Sequence, residues 1–293
     1  MKVCLLAIAK NEDNYIQEWI DYHLSWNFDD IFIIQDNWKA PKQSNSKVHL
    51  IDGDIPENES VDTVKQRTYY SDFIKKHNKD YDWIAIFDID EFFWAKDCYD
   101  IHDFLNDKDN LPSIGIHWRM FGDSNIAERN YYNLINCFKR SRSCCENTFK
   151  SFYNMNKLRS LLGETILNKQ SIIDVHTFRD IEVDIKGKST KLYSLQYGCD
   201  KSKISIDWNK RNENELMISK NTVYLAHFRK TYKEFVKRYK NTNCVWWVKF
   251  KQEMNNDYKK MFEKICPSVF NEVENLDLVE FINHGRTQIK ATY

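Results

Sequence analysis

Over the first ninety residues, short apolar blocks alternate with longer amphipathic ones. Val3 to Ala9 is a nearly unbroken apolar run, the pattern of a strand buried on both faces. Tyr15 to Trp26 follows the helical period, with Ile16, Trp19, Ile20 and His23 on one face and Asn11, Asp13 or Asn14 placed to cap it. Ile31 to Ile34 predicts a second strand closed by Gln35-Asp36-Asn37. Val48 to Ile51 predicts a third, ending at the turn signal Asp52-Gly53-Asp54. A long helix over 61–78 leads to a fourth strand, Trp83 to Phe87, which ends in Asp88-Ile89-Asp90-Glu91. Such alternation predicts an α/β fold with a mainly parallel sheet covered on both faces. Ligands of such sheets collect at the carboxyl ends of the strands. Four polar ends would therefore converge: Lys10-Asn11-Glu12, Asp36-Asn37, Asp52-Gly53-Asp54 and Asp88-Ile89-Asp90.

The pattern changes after residue 110. Ile114, Ile116 and Trp118 alternate as in a half-exposed strand. Residues 129–139 read as helix, and 171–197 hold several short β-like runs, among them Ile181 to Ile185 and Lys191 to Leu195. Residues 199–220 are polar and read as a loop. Val223 to Ala226 is a short apolar strand before His227, and helices are expected over 231–240, 244–265 and 276–283. No linker marks a boundary. The expected division is 1–235 (halves 1–95 and 96–235) followed by a helical C-terminal region, 236–293.

Composition narrows the partners. The 293 residues suffice for a full core. Lys plus Arg and Asp plus Glu are 43 each, so nothing suggests a polyanion-binding surface, and nucleic acid is not an expected partner. Aromatic residues reach 15%, against 7 Gly and 4 Pro, which disfavours disorder. The eight cysteines form no C-x-x-C pair and read as reduced thiols. The N-terminal apolar run is too short for a signal peptide, and no run approaches the ~18 apolar residues of a membrane span. A cytoplasmic protein is expected.

The acidic string carries the clearest chemistry. Asp88 and Asp90 are hard oxygen donors that suit Mg²⁺ or Mn²⁺, and such an ion can hold a diphosphate. The same residues also fit a solvated turn, since a lone D-x-D is common. Asp36 can accept from a uracil N–H or a ribose hydroxyl, or serve as a turn residue. Gln66, Arg67 and Tyr70 lie on the helix before the acidic strand, with Gln66 and Tyr70 on one face. Arg67 and Lys230 can reach phosphate. His227 can complete a carboxylate metal site or be structural, and His176 has a similar setting. Among the basic residues between 139 and 159, Lys150 and Arg140 can meet an anionic ligand or a solvated face.

Four ordered markers resemble those of family 2-like and family 92-like glycosyltransferases. They are Ala9-Lys10-Asn11-Glu12 with Glu18-Trp19 and Tyr22-His23; Asp82-Trp83 running into Phe87-Asp88-Ile89-Asp90-Glu91-Phe92; Trp118 with Phe121-Gly122; and Ala226-His227-Phe228-Arg229-Lys230-Thr231 with Glu234-Phe235. The resemblance implies a GT-A fold, Rossmann-like in its first half. It implies inverting transfer of a sugar from a nucleotide-sugar donor, usually UDP-linked, to a glycan or lipid-linked glycan. Bacterial relatives build lipooligosaccharide or capsule at the inner face of the membrane, where the aromatic, basic stretch 237–251 could make a peripheral contact. The resemblance points to Ala9, Asn11, Glu12, Asp36, Gln66, Arg67, Asp88 and Lys230 around the donor, and to Asp88, Asp90 and His227 around Mn²⁺ or Mg²⁺. The acceptor hydroxyl needs a base. Asp123 follows a strand beside the nucleotide half, and Glu128 and Glu164 are further candidates. The alternatives are a haloacid-dehalogenase-like phosphatase using Asp88, or a non-catalytic nucleotide- or glycan-binding protein.

Overall fold

The computed structural model describes the chain apart from residues 54–61, 127–133, 144, 147, 163–180, 186–187, 193–194, 199–217, 221–222, 230, 241–244 and 291–293. The first half follows the predicted alternation: β1 (Val3–Ala9), α1 (Ile16–Ser25), β2 (Asp30–Asp36), β3 (Val48–Gly53), α2 (Asp62–His77), β4 (Trp83–Ile86) and β5 (Glu91–Ala95). Next come α3 (Ile101–Leu105), β6 (Ser113–Phe121), α4 (Leu134–Cys137), β7 (Arg140–Ser141), β8 (Phe149–Asn154) and α5 (Met155–Leu162). A hairpin, β9 (Ile181–Ile185) and β10 (Lys188–Leu192), precedes β11 (Leu195–Gly198), β12 (Ile218–Lys220) and β13 (Val223–Phe228). The C-terminal region holds α6 (Tyr232–Tyr239), α7 (Val245–Glu253), α8 (Tyr258–Ile265), β14 (Val273–Glu274) and α9 (Asp277–Lys290).

Twelve strands form one sheet, whose main path runs β12-β11-β6-β8-β4-β1-β2-β3. The β3-β2-β1-β4 half is parallel throughout. β8 pairs antiparallel with both β4 and β6, so those two run in the same direction. β13 runs parallel to β6 and antiparallel to β5. This is the α/β arrangement expected, mainly parallel in its first half, with β5, β7 and β8 making the antiparallel pairings.

Four local expectations are corrected. No side chain caps α1: its N-cap is Tyr15, and the Glu12 carbonyl accepts from Tyr15 N–H (2.9 Å) and Ile16 N–H (3.0 Å). β6 is not half-exposed, because its opposite face is buried as well. His117 on that face is fully buried and places Nδ1 2.8 Å from the Glu146 carbonyl oxygen. The helix expected over 244–265 breaks at Asn255 and Asn256, both left-handed (φ 54 and 59), and Asp257 then caps α8 through the Lys259 and Lys260 N–H groups. Among the cysteines, Cys4, Cys98, Cys137 and Cys266 are free, but Cys145 is disulfide-bonded, against the expectation of uniformly reduced thiols.

Large aromatics fill the core on one sheet face. Trp19, Trp26, Phe28, Phe87, Phe92, Phe93 and Phe152 are essentially fully buried. Each contributes about 2–3 kcal/mol by leaving water. α9 joins this core: Phe281 stacks on Trp26 with ring centroids 4.4 Å apart, Leu278 is buried, and Tyr224 donates to Asp277 (2.9 Å). α2 covers the other face with Tyr70, Phe73 and Ile74. Among the described residues, no helix is long and apolar enough to cross a membrane.

His23 sits inside the aromatic core with no exposed surface, its Nδ1 2.8 Å from the Trp19 carbonyl oxygen. Burial lowers its pKa from the ordinary 6.5 to about 3, and the Trp19 carbonyl only partly opposes this. Below pH 6.5 the unfolded chain therefore binds a proton that the folded one refuses. This contribution to stability is complete above pH 6.5 and is lost as pH falls towards 3, at about 1.4 kcal/mol per pH unit. Urea unfolding at pH 7 and pH 5 should show wild-type protein losing about 2 kcal/mol more than His23→Gln. Equal losses would refute a neutral, buried imidazole.

Candidate active site

The ladder directions place the carboxyl ends of β1, β2, β3, β4, β6 and β13 on one edge of the sheet. The acidic turn leaves β4 there. It is closed by its own hydrogen bonds: Glu91 N–H donates to the Asp88 carbonyl (3.1 Å), and Asp88 N–H donates to Glu91 Oε2 (2.8 Å). β5 then turns back along β13, with Glu91 opposite His227, and Phe228 N–H donates to the Asp90 carbonyl (3.0 Å). Pairing of β5 with β13 thus brings Asp90 Oδ1 to 3.6 Å from His227 Nε2. The His227 ring lies 4.3 Å from that of Trp118. Burial lowers the His227 pKa, with Asp90 opposing it, which favours the neutral imidazole that a metal needs.

Helix α1 fixes the same turn from the other side. Trp19 Nε1–H donates to the Glu91 carbonyl (2.8 Å), and Tyr22 O–H donates to the Phe93 carbonyl (2.6 Å). These are successive outward carbonyls of β5, free to accept because the alternate ones face β13. Glu18, one turn away, accepts from the Leu134 and Ile135 N–H groups at the start of α4 (2.7 and 3.0 Å). Downstream of β13, Thr231 and Glu234 form a capping box that starts α6.

Beneath the turn lies Lys150, on β8, with only 1% of its side chain exposed. Its Nζ is 2.8 Å from Asp88 Oδ2 and 3.9 Å from Glu91 Oε1. Burial pulls the ammonium pKa down, but Asp88 and Glu91 together raise it above the ordinary lysine value. Burial pushes the Glu91 carboxyl up, with Lys150 working against it. Lys150 therefore meets protein carboxylates, not an external anion.

Of the remaining predicted residues, those at the ends of β1, β2 and β6 lie along the same edge. Ala9 ends β1, buried and opposite Gln35, and Asn11 follows in the left-handed region (φ 56). Glu12 is buried. Asp36 ends β2 with Lys10 Nζ 3.4 Å from its Oδ2. Gln66 is half-buried on α2. Tyr70 is fully buried, and its phenol pKa is raised by burial and then by the Asp88 and Glu91 charges. Asp123 follows β6, its Oδ1 accepting from Asn125 N–H and Asn271 Nδ2 (2.9 Å each). Lys230, Glu128, Glu164, His176 and the side chain of Arg67 lie outside the described residues.

Asp90 and His227 together offer a carboxylate oxygen and an imidazole nitrogen, a donor pair that suits Mn²⁺. Asp88 is turned to Lys150 instead. Among the described residues, no three His, Cys, Asp or Glu side chains gather in a metal-holding group. Such a pair would make a two-residue half-site, of the kind that suits ions that keep waters and bind substrate phosphates.

The model of glycosyltransferase family 92 matches residues 9–224, ending just before His227. No curated protein matches the chain. Among solved structures, core-mannan synthase A (CmsA/Ktr4) from Aspergillus fumigatus in its Mn/GDP form is 12% identical, with a TM-score of 0.30. The match covers 57% of this chain and 63% of that one. The mannosyltransferase Ktr4p from S. cerevisiae is 14% identical with a TM-score of 0.28, over 57% of this chain and 59% of that one. In both, the match spans less than two thirds of the solved chain.

Proposed function

The chain belongs to glycosyltransferase family 92, and on that premise we propose that it transfers a sugar from a nucleotide-sugar donor to an acceptor hydroxyl at the shared strand edge. The observation that carries this reading is the approach of Asp90 and His227, far apart in the chain, to 3.6 Å at the carboxyl end of β4. These two residues would hold Mn²⁺ or Mg²⁺, which when bound neutralises charge on the departing diphosphate. Asp88 keeps one oxygen on Lys150, and its side chain is still 26% exposed, able to accept from a ribose hydroxyl. Asp36, at the end of β2, would accept the base N–H, and the motif resemblance supports a UDP-linked donor. Asp123 takes the proton of the attacking hydroxyl, so a single displacement with inversion is the reaction proposed. The Trp118 ring packs against that of His227, tilted by 55°.

The acceptor proposed is a glycan or lipid-linked glycan of a bacterial surface polysaccharide, built at the inner face of the membrane. Motif resemblance alone supports that class. A phosphatase using Asp88 as nucleophile is disfavoured, because the glycosyltransferase family 92 model matches residues 9–224, most of the chain.

The test is a panel of UDP- and GDP-sugars scored for Mn²⁺-dependent thermal stabilisation, then for transfer. A ligand at about 100 times its Kd stabilises by about 2.7 kcal/mol. The reading expects a nucleotide sugar to shift the midpoint with Mn²⁺ and not with EDTA. No shift across the panel would overturn it.

A further inference from the structure

Resting on Asp123 as the acceptor base, we propose that Asn271, far along the chain, is the positioning residue that aims it. The loop Gly122-Asp123-Ser124-Asn125 leaves β6 at the active edge with two successive left-handed residues, Ser124 (φ 51) and Asn125 (φ 61). That conformation is costly away from glycine and needs outside support. The support comes from the C-terminal segment Ser268–Asn271 and the strand after it. Gly122 N–H donates to both the Phe270 and the Arg140 carbonyls (3.1 Å each). The Asn271 side chain is engaged at both ends: Oδ1 accepts from Ser124 N–H (2.8 Å), and Nδ2–H donates to Asp123 Oδ1 (2.9 Å).

The fit is tight and specific. A Cβ on Gly122 would lie 2.3 Å from Asn271 Oδ1 and 3.0 Å from the Phe270 carbonyl carbon, so only glycine lets the segment seat. The segment is itself anchored. Arg140 Nε–H donates to the Asn271 carbonyl (2.8 Å), β14 pairs with β7, and Glu272 Oε2 accepts from Ser143 N–H (3.0 Å) and Oγ–H (2.7 Å). Asp123 Oδ1 therefore receives two fixed N–H groups, from Asn271 and Asn125. These define the direction of the carboxylate and leave Oδ2 as the oxygen to take a proton. The C-terminal region thereby becomes part of the catalytic unit rather than an appendage.

The experiment compares Asn271→Ala, Asn271→Asp and Asp123→Asn. It measures nucleoside diphosphate released from a panel of UDP- and GDP-hexoses, with Mn²⁺ and with water as acceptor. Asn271→Asp keeps an acceptor for Ser124 N–H but removes the donor to Asp123, so it separates aiming the base from holding the loop. Both Asn271 variants should lower kcat about 10- to 100-fold, the cost of a misplaced group. Donor KM and the Mn²⁺–UDP thermal shift should stay within about twofold of wild type. If Asp123→Asn keeps wild-type kcat, the base assignment itself is wrong. If Asp123→Asn is inactive while Asn271→Asp keeps wild-type kcat, the positioning role is wrong. A rise in KM with loss of the thermal shift in both Asn271 variants would also overturn it, since that marks a structural role.

Discussion

Asp90→Ala is expected to lose transfer to background while the protein remains folded. The side chain is a quarter exposed and lies 3.6 Å from His227 Nε2. The Asp90 backbone carbonyl, which accepts from Phe228 N–H, ties the turn to β13 and is retained in alanine. Stability should therefore change by less than about 1 kcal/mol, as for surface substitutions. The loss in rate should be far larger. In the proposed half-site Asp90 is the charged member and would offset the metal's charge, and stabilisation of a leaving diphosphate by such an ion is worth several kcal/mol. At 1.36 kcal/mol per decade, about 4 kcal/mol is a thousandfold in rate. Two readouts check this together: initial rates with Mn²⁺, and the Mn²⁺-dependent thermal shift given by UDP. Asp90→Asn, which preserves shape, should fail in both. Transfer above about a tenth of wild type in Asp90→Ala, insensitive to EDTA, would remove Asp90 from the site.

Much of this edge was legible because apolar runs mark buried strands and their polar ends mark where chain meets solvent. Val3–Ala9, Asp30–Asp36 and Trp83–Ile86 were visible for that reason. His227 was visible as the polar end of β13. Two strands were not. Glu91–Ala95 begins with an acid that the motif claims, and its aromatics do not alternate with polar residues because both faces are covered. Phe149–Asn154 carries a lysine, a serine and an asparagine, yet all six positions are buried. A buried charge announces itself only when its partners are known, and those partners are donated by a turn some sixty residues earlier. The clasp on Asp123 was hidden likewise: neither Asn271 nor Gly122 follows a periodicity, and their contact depends on β14 finding β7. Of the N-terminal marker, Trp19 and Tyr22 are ties to β5, and His23 fills the core behind them, so those three build the site without entering it.

Lys150→Met should be the most destabilising single change at the site. Methionine has nearly the same volume and reach, so packing in β8 is largely kept and the loss is electrostatic. The ammonium is 1% exposed and sits 2.8 Å from Asp88 and 3.9 Å from Glu91. Without it, the Asp88 and Glu91 carboxyls lose their internal cation. Glu91, with no exposure at all, cannot recover solvation by moving outward. Breaking a buried pair from one side costs about 3–5 kcal/mol, because the remaining charge is left uncompensated. For a domain of this size that lowers the thermal midpoint by roughly 5–10 °C. Asp88→Asn in the Lys150→Met background should recover about 1–2 kcal/mol, since it removes one of the stranded charges. Thermal and urea unfolding of the two single variants and the double variant give the coupling directly. A Lys150→Met midpoint within about 1 °C of wild type would show that the pair contributes nothing. A coupling of the expected sign would mean that the turn presenting Asp90 to His227 is held in shape by a charge placed beneath it.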